Sequence, residues 1–227
     1  AFDRAVGVDA RSSYGDVEIT NDADITVASS NDSAAGLRAL VGGSVNYAYG
    51  EVLITNSGNI DVQAEYLAQG IVALSYYTGV EVVNSGDVTA SSTSGYSQAI
   101  AVRSATGAII SNSGSITAGN GDALAISITG AGSVTNNDGD ISGGITADDG
   151  DDFIYNNAGG RIFLTNDTID LAGGYNYFFN DGKLYADGLN NSIDMGNGYM
   201  VNPVSVLSYS EYGSNSSTFY NYGNSIH

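Results

Sequence analysis

The chain has no cysteine and no tryptophan, one proline, one histidine and only six basic residues among 227. The lack of cysteine excludes disulfides, thiolate metal sites and a cysteine nucleophile. The one histidine is His227, the last residue, so a Ser–His pair would need the tail to fold back. No Gly-x-Ser-x-Gly elbow occurs. One proline against 31 glycines excludes a proline-rich linker or a collagen-like chain and points to many tight turns. Six basic against 25 acidic residues give a net charge of −19. Nucleic acid is thereby excluded as a partner, because phosphate neutralisation needs clustered Lys and Arg. An anionic membrane surface is excluded on the same ground. No apolar run approaches the ~20 residues of a membrane helix. The chain begins at Ala1 without a signal peptide, which reads as a processed start with any export signal outside it.

What is abundant is Val, Ile, Thr, Ser, Asn, Asp and Tyr, a mixture that favours short strands joined by polar turns. One unit recurs. Asn56-Ser-Gly-Asn-Ile60 returns as Asn84-Ser-Gly-Asp-Val88 and Asn112-Ser-Gly-Ser-Ile116, with looser copies at Asn21 and Asn180. Asn, which bonds its own backbone, followed two residues later by Gly, which enters the left-handed region freely, reads as a turn. Each turn follows an alternating apolar arm: Val52 and Ile54, Val80 and Val82, Ala108 and Ile110. Each precedes another, as in Ile60-Asp-Val62 and Val88-Thr-Ala90. A third arm, such as Gly70-Ile-Val-Ala-Leu74 or Ala99-Ile-Ala-Val102, completes the repeat. Three strands per repeat of about 28 residues make one turn of a solenoid.

The expected fold is therefore all-β: a right-handed, single-stranded parallel β-helix of roughly eight to nine coils spanning 1–227. Coils stacked ~4.8 Å apart bury the inward face that no single coil can bury alone. Ile54, Val82 and Ile110 should form an inward ladder. Asn21, Asn56, Asn84, Asn112, Asn137, Asn180 and Asn221 should form a corner ladder of side-chain amides, with Asn156 and Asn202 continuing the series. Residues 1–145 read as regular coils of about 28 residues. Residues 146–227 read as shorter, acidic, aromatic-rich coils of the same solenoid, since five of the six Phe lie there. Both ends of the chain read as mid-solenoid, with strand edges open to further coils or other copies.

These repeats, together with Asp148-Asp-Gly-Asp-Asp152, Asn166-Asp-Thr-Ile-Asp-Leu171 and Asn191-Ser-Ile-Asp-Met195, resemble the passenger repeats of bacterial autotransporters (type V secretion). The resemblance covers essentially the whole chain. It implies a β-helical stalk, secreted or exposed on the surface of a Gram-negative bacterium and often adhesive. It also implies a C-terminal outer-membrane barrel, of which this chain carries no trace. The partners it implies are a host-cell or bacterial surface protein or glycan.

Three sets of residues could carry function on such a scaffold. Asp148, Asp149, Asp151 and Asp152 offer the hard oxygen ligands of a Ca2+ site, although the nine-residue glycine- and aspartate-rich calcium repeat is missing. Tyr47, Tyr49, Tyr66, Tyr76, Tyr77 and Tyr96 fall near turns of successive coils, and a Tyr ladder would suit a glycan or protein partner. The basic residues Arg4, Arg11, Arg38, Arg103, Arg161 and Lys183 read as scattered, one per coil or fewer. No catalytic residue emerges, and the leading expectation is a non-catalytic stalk or adhesive scaffold. One rival is a subunit of a self-assembling filament joined end to end. A second is a polysaccharide-acting enzyme with carboxylates in a groove opposite Arg103 or Arg161, an activity that the fold by itself does not confer.

Overall fold

The structure is a computed structural model. It describes residues 4–42, 49–120, 122–187, 190–196, 198–201 and 207–208. Tyr47, Asn202, Pro203, Asn221 and His227 lie outside the described residues.

The chain forms a parallel β-helix. Each described strand but the last three pairs in parallel with the strand three positions later in sequence, and the result is three eight-stranded sheets with no helix among the described residues. Sheet A starts with Ala5–Ser12 and Ala34–Val41, sheet B with Val17–Asn21 and Val52–Asn56, and sheet C with Ile25–Ser29 and Ile60–Ala64. One coil is therefore one strand from each of A, B and C. Eight coils span roughly 35 Å along the axis at the usual interstrand spacing.

Alternation in the sequence decides what lies inside. In Val52–Asn56 the first, third and fifth residues are buried and the two between them are half-buried. The register then stacks like on like. In sheet B, Ile19, Ile54, Val82 and Ile110 align, followed by Thr135, Ile154 and Phe178. In sheet A, Leu37, Ile71, Ile100, Ile126, Ile145, Ile169 and Ile193 form one continuous column. A fully buried Ile contributes about 1.5–3 kcal/mol relative to an exposed one, and β-branched side chains pack well on a pleated surface. Stacking makes that contribution additive along the axis.

Sheet A departs from strict alternation. Gly36 and Leu37 are consecutive and both buried: a Cβ on Gly36 would run into Ile60 of sheet C, while Leu37 belongs to the core. Two neighbours cannot both face inward on a flat strand, so the strand bends there around the core. Gly7 and Gly70 sit equivalently, crowded by Ile25 and Val88. The first inward-facing residue of the sheet A column, Val8, is 39% exposed, so the core is open at that end of the described structure.

All three sheets run without a break through residues 145–146; Ile145 pairs with Ile126 on one side and Ile169 on the other. The coils do shrink. Sheet A strands fall from nine residues in Tyr96–Ser104 to three in Thr168–Asp170 and Ser192–Asp194. Phe178 fills the interior there, whereas Phe163 and Tyr185, half-buried on sheet C, lie face to face at 4.8 Å.

The glycine of the repeated Asn-x-Gly unit has a different role from the one its turn chemistry suggests. None of Gly58, Gly86, Gly114 and Gly139 has a positive φ, and neither do the Asn residues before them. The requirement is space. A Cβ on Gly86 would collide with the Gly58 carbonyl, one on Gly114 with the Gly86 carbonyl, and one on Gly139 with the Gly114 carbonyl. Gly86→Ala should accordingly lower stability by about 2–3 kcal/mol, the cost of a forced backbone shift. Gly79→Ala, whose nearest neighbour would be the Gly107 oxygen at 3.6 Å, should change it little. Urea unfolding of the two variants measures the difference, and equal midpoints would contradict the packing account.

Candidate functional site

The corner between sheets B and C holds the Asn series. Each side-chain Nδ2 donates to the Oδ1 of the next coil: Asn21 to Asn56 at 2.8 Å, Asn56 to Asn84 at 2.8 Å, and Asn84 to Asn112 at 2.9 Å. The chain goes on from Asn112 to Asn137 at 2.9 Å, Asn137 to Asn156 at 2.8 Å and Asn156 to Asn180 at 2.6 Å. The intervals in sequence are 35, 28, 28, 25, 19 and 24 residues, so coil length varies while the corner does not. The second Nδ2 proton goes to the carbonyl two residues on, as from Asn56 to Gly58 and from Asn84 to Gly86, both at 2.8 Å. Both protons and the oxygen of a buried amide are thus used, which removes the penalty of burying it. All donors point along the axis in the same direction, an arrangement in which each bond polarises the next.

A second buried polar column, which no repeated motif announces, stands at the corner between sheets A and B. Ser104 Oγ donates to the Thr78 carbonyl at 3.0 Å, and Ser75 Oγ lies 2.8 Å from Thr78 Oγ1. In the coil after that of Ser104, Ser133, which pairs with Ala108, donates through its N–H and its hydroxyl to Asp152 Oδ1 at 2.8 and 2.7 Å. The Asp152 N–H donates in turn to Asn176 Oδ1 at 2.9 Å. The residue type changes from Ser133 to Asp152 to Asn176 here, so nothing in the sequence repeats; the faint signal is a polar residue just before the strands Phe153–Asn156 and Tyr177–Asn180.

This column explains the acidic run. Asp148 accepts from the Gly130 N–H, Asp151 from the Tyr175 N–H at 2.7 Å, and Asp152 from Ser133. A Cβ on Gly173 would press on Asp149 Oδ1. The carboxylates therefore turn to different backbone partners, and among the described residues no three acidic or histidine side chains converge as a cation site. The Ca2+ expectation finds no geometry here. Asp152 is nonetheless unusual: it is 2% exposed and its Oδ2 has no partner. Burial pushes its carboxyl above the ordinary range; the Ser133 bonds offset part of this, and the Asp148 and Asp151 charges add to it.

The tyrosines do not make one ladder. Tyr66 and Tyr96 stand where the chain enters sheet A, with the Tyr96 N–H donating to the Tyr66 carbonyl at 2.7 Å. Tyr49, Tyr76 and Tyr77 stand where it leaves, at the far end of strands eight or nine residues long. The strand length separates the two groups by roughly 25 Å. Tyr49, Tyr66 and Tyr96 are more than half exposed. Beside Tyr66 runs an open groove of about 310 Å³ along the corner between sheets C and A, lined by Ser29, Ser30, Gln63, Glu65 and Thr93 among others.

The basic residues are less scattered than their spacing suggests, because stacking brings distant positions together. Arg11 chelates Asp9 with bonds of 2.9 and 2.6 Å, and Arg38, one coil on, lies 3.9 Å from the same carboxylate. Burial, followed by the charges of Arg4 and Arg11, holds the Arg38 pKa below the ordinary arginine value. Arg103 lies over the Tyr76 ring, 4.8 Å from its centroid. Four of the six basic residues thus belong to the outer face of sheet A or its margin. Arg161 is elsewhere, on sheet C, held by Asp140 at 2.5 Å. Comparison with protein-family models, with curated proteins and with solved structures finds no match for this chain.

Two variants test the buried polar columns. Asn84→Ala should cost about 2–3 kcal/mol, because it removes its own bonds and leaves Asn112 Oδ1 and the Gly86 carbonyl without their donor. Asn84→Asp should be worse at neutral pH, since it places a charge against those same oxygens. Thermal unfolding ranks the two. Asp152→Asn should behave oppositely and stabilise by about 1 kcal/mol at neutral pH, by removing a buried charge. The native Asp152 pKa is raised, so the folded state holds this proton to higher pH than the unfolded chain does. Stability is then lost as pH rises from the ordinary aspartate range through the native value. The advantage of Asp152→Asn should therefore shrink as the pH is lowered to about 4 and below. A constant advantage at all pH values would contradict the assignment.

Proposed function

We propose that the chain is a non-catalytic segment of an extracellular surface protein, a rigid β-helical scaffold that holds adhesive side chains in fixed register. The observation that carries this reading is the unbroken hydrogen-bonded corner from Asn21 to Asn180. It locks each coil to the next alongside three strand pairings. A scaffold so tied keeps outer residues on successive coils at fixed intervals of about 4.8 Å, which suits repeated display to a partner. The resemblance of the repeats to autotransporter passengers supports the surface of a Gram-negative bacterium as the location. A glycan or protein of a host or bacterial surface is then the partner.

Two alternatives rest on particular features. The exposure of inward-facing Val8 favours end-to-end assembly, because that end offers an apolar surface and unpaired strand groups. A polysaccharide-acting enzyme needs carboxylates in a groove facing a cation. Of the two arginines considered for it, Arg161 is engaged by Asp140, and the groove beside Tyr66 is lined by neither.

The test uses beads coated with the purified chain, scored for attachment to epithelial and bacterial cell layers, with heat-unfolded chain as control. The soluble chain is also incubated with acidic and neutral polysaccharides while new reducing ends are counted. Attachment that requires the folded chain, without new reducing ends, is the expected result. New reducing ends would replace the scaffold with an enzyme. Absent attachment, with rods that lengthen as concentration rises, would replace it with a filament.

A further inference from the structure

The adhesive reading leaves open what is bound and where, and the outer face of sheet A supplies an answer. Its outward residues form two columns. One runs Asp9, Arg38, Val72, Ala101, Ser127; the other runs Arg11, Leu40, Leu74, Arg103, Thr129. Arg38 and Arg103 are two coils and one column apart, which places their backbones about 12 Å from each other. Arg38 now lies toward Asp9 and Arg103 over Tyr76, and guanidiniums on side chains of that length would reach a common group by swinging toward each other. Leu40 and Leu74 lie half-buried between them as a floor. At the end of the strand Tyr76 packs over Gly42 and under Arg103, and Tyr77 and Tyr49 are exposed at the same corner.

Two observations mark this face as prepared for an anion. The first is its charge: a cationic island on a chain of net charge −19, where a random face would be acidic. The second is Arg38. Its side chain is 14% exposed and its Nε is buried without a hydrogen-bond partner. Its nearest carboxylate, Asp9 at 3.9 Å, is already chelated by Arg11. A buried guanidinium normally has its planar fork filled by a carboxylate or phosphate. Here the Nε has no acceptor, and Nη1 has only the carboxylate shared with Arg11.

We propose that the face between Arg38 and Arg103 binds a carboxylate-bearing saccharide, with the acid group taken by the two guanidiniums and a sugar ring laid on Tyr76 or Tyr77. The surface is shallow and aromatic at one edge, which suits the apolar face of a sugar ring. An extended acidic peptide is disfavoured. Peptides bind sheets by adding a strand to a free edge. The strands here, Ala34–Val41, Leu67–Ser75 and Tyr96–Ser104, are paired on both sides and have no free edge. Recognition on this face must therefore come from side chains alone. The inference rests on the adhesive reading and identifies the ligand class for it.

The experiment is a calorimetric titration of the chain with trigalacturonate and with sialyllactose, against galactotriose and lactose as neutral controls. At least one acidic saccharide should bind saturably, more weakly at high salt, and the neutral sugars should not. Arg103→Gln, an exposed substitution that leaves the core untouched, should weaken binding about tenfold or more, the scale of one charge-assisted hydrogen bond. Arg38→Gln should weaken it at least as much, and Lys183→Gln, on sheet C, should not. Equal binding of neutral sugars, failure of both acidic sugars, or affinity unchanged by Arg103→Gln would overturn the proposal. So would binding of polyglutamate with the same arginine dependence in place of the sugars, or concentration-dependent self-association abolished by Arg103→Gln. Bead attachment to cells that persists in Arg103→Gln would remove this site while leaving the adhesive scaffold standing.

Discussion

In this molecule each coil rests on the backbone of the one before it, and the fit at the corner between sheets B and C governs the rest. There the carbonyl of one coil occupies the space a Cβ of the next would need, as between Gly58 and Gly86. The buried amide beside it must spend both its protons and its oxygen. Only a small set of residues meets both conditions, with Asn as the linking amide and Gly two positions later. Once that corner is fixed, the register of the sheets on either side follows, and inward residues stack on residues of their own kind. A one-residue slip would turn every Ile of the core outward. The corner therefore specifies the core as well as supporting it.

The same constraint explains which features could be read from the chain and which could not. The interval between Asn56, Asn84 and Asn112 made the solenoid legible, because a stacked corner forces one residue type to recur. The inward ladder of Ile54, Val82 and Ile110 was legible through alternation. The reason for the glycines was not: a local turn explains Asn-x-Gly equally well, and only the neighbouring coil reveals that there is no room for a side chain. The partners of the acidic run were not legible either, since Asp148, Asp151 and Asp152 each serve a backbone or hydroxyl donor on a neighbouring coil. Side-chain direction decides that, and sequence spacing carries no information about it. The tyrosines looked like one ladder because turns at both ends of sheet A read alike in sequence. Arg11 and Arg38 looked isolated because stacking, and not sequence distance, makes them neighbours of Asp9.

The binding proposed for this chain uses what the constraint leaves free. Inward positions are held almost entirely to apolar residues, and the corner to Asn and Gly, by packing. Outward positions on sheet A are not, and there the chain departs most from its own average by gathering arginine on a strongly acidic protein. Thr135 shows the opposite case, a hydroxyl in the inward column between Ile110 and Ile154 whose Oγ1 is buried without a partner. It marks the stretch where the coils begin to shorten, and no structural benefit of the hydroxyl is evident. The rigidity of the inside allows the outer face to hold side chains from different coils in one arrangement, which is what a binding surface without a deep cavity requires.

The most direct test of the account is hydrogen exchange of the asparagine side-chain amides, followed by nuclear magnetic resonance. If the corner is a continuous hydrogen-bonded chain, the Nδ2 protons of Asn56, Asn84, Asn112 and Asn137 should exchange as slowly as the backbone amides of the adjacent sheet B strands. Exchange of those protons at the rate of a free, solvated amide, while the backbone remains protected, would contradict it.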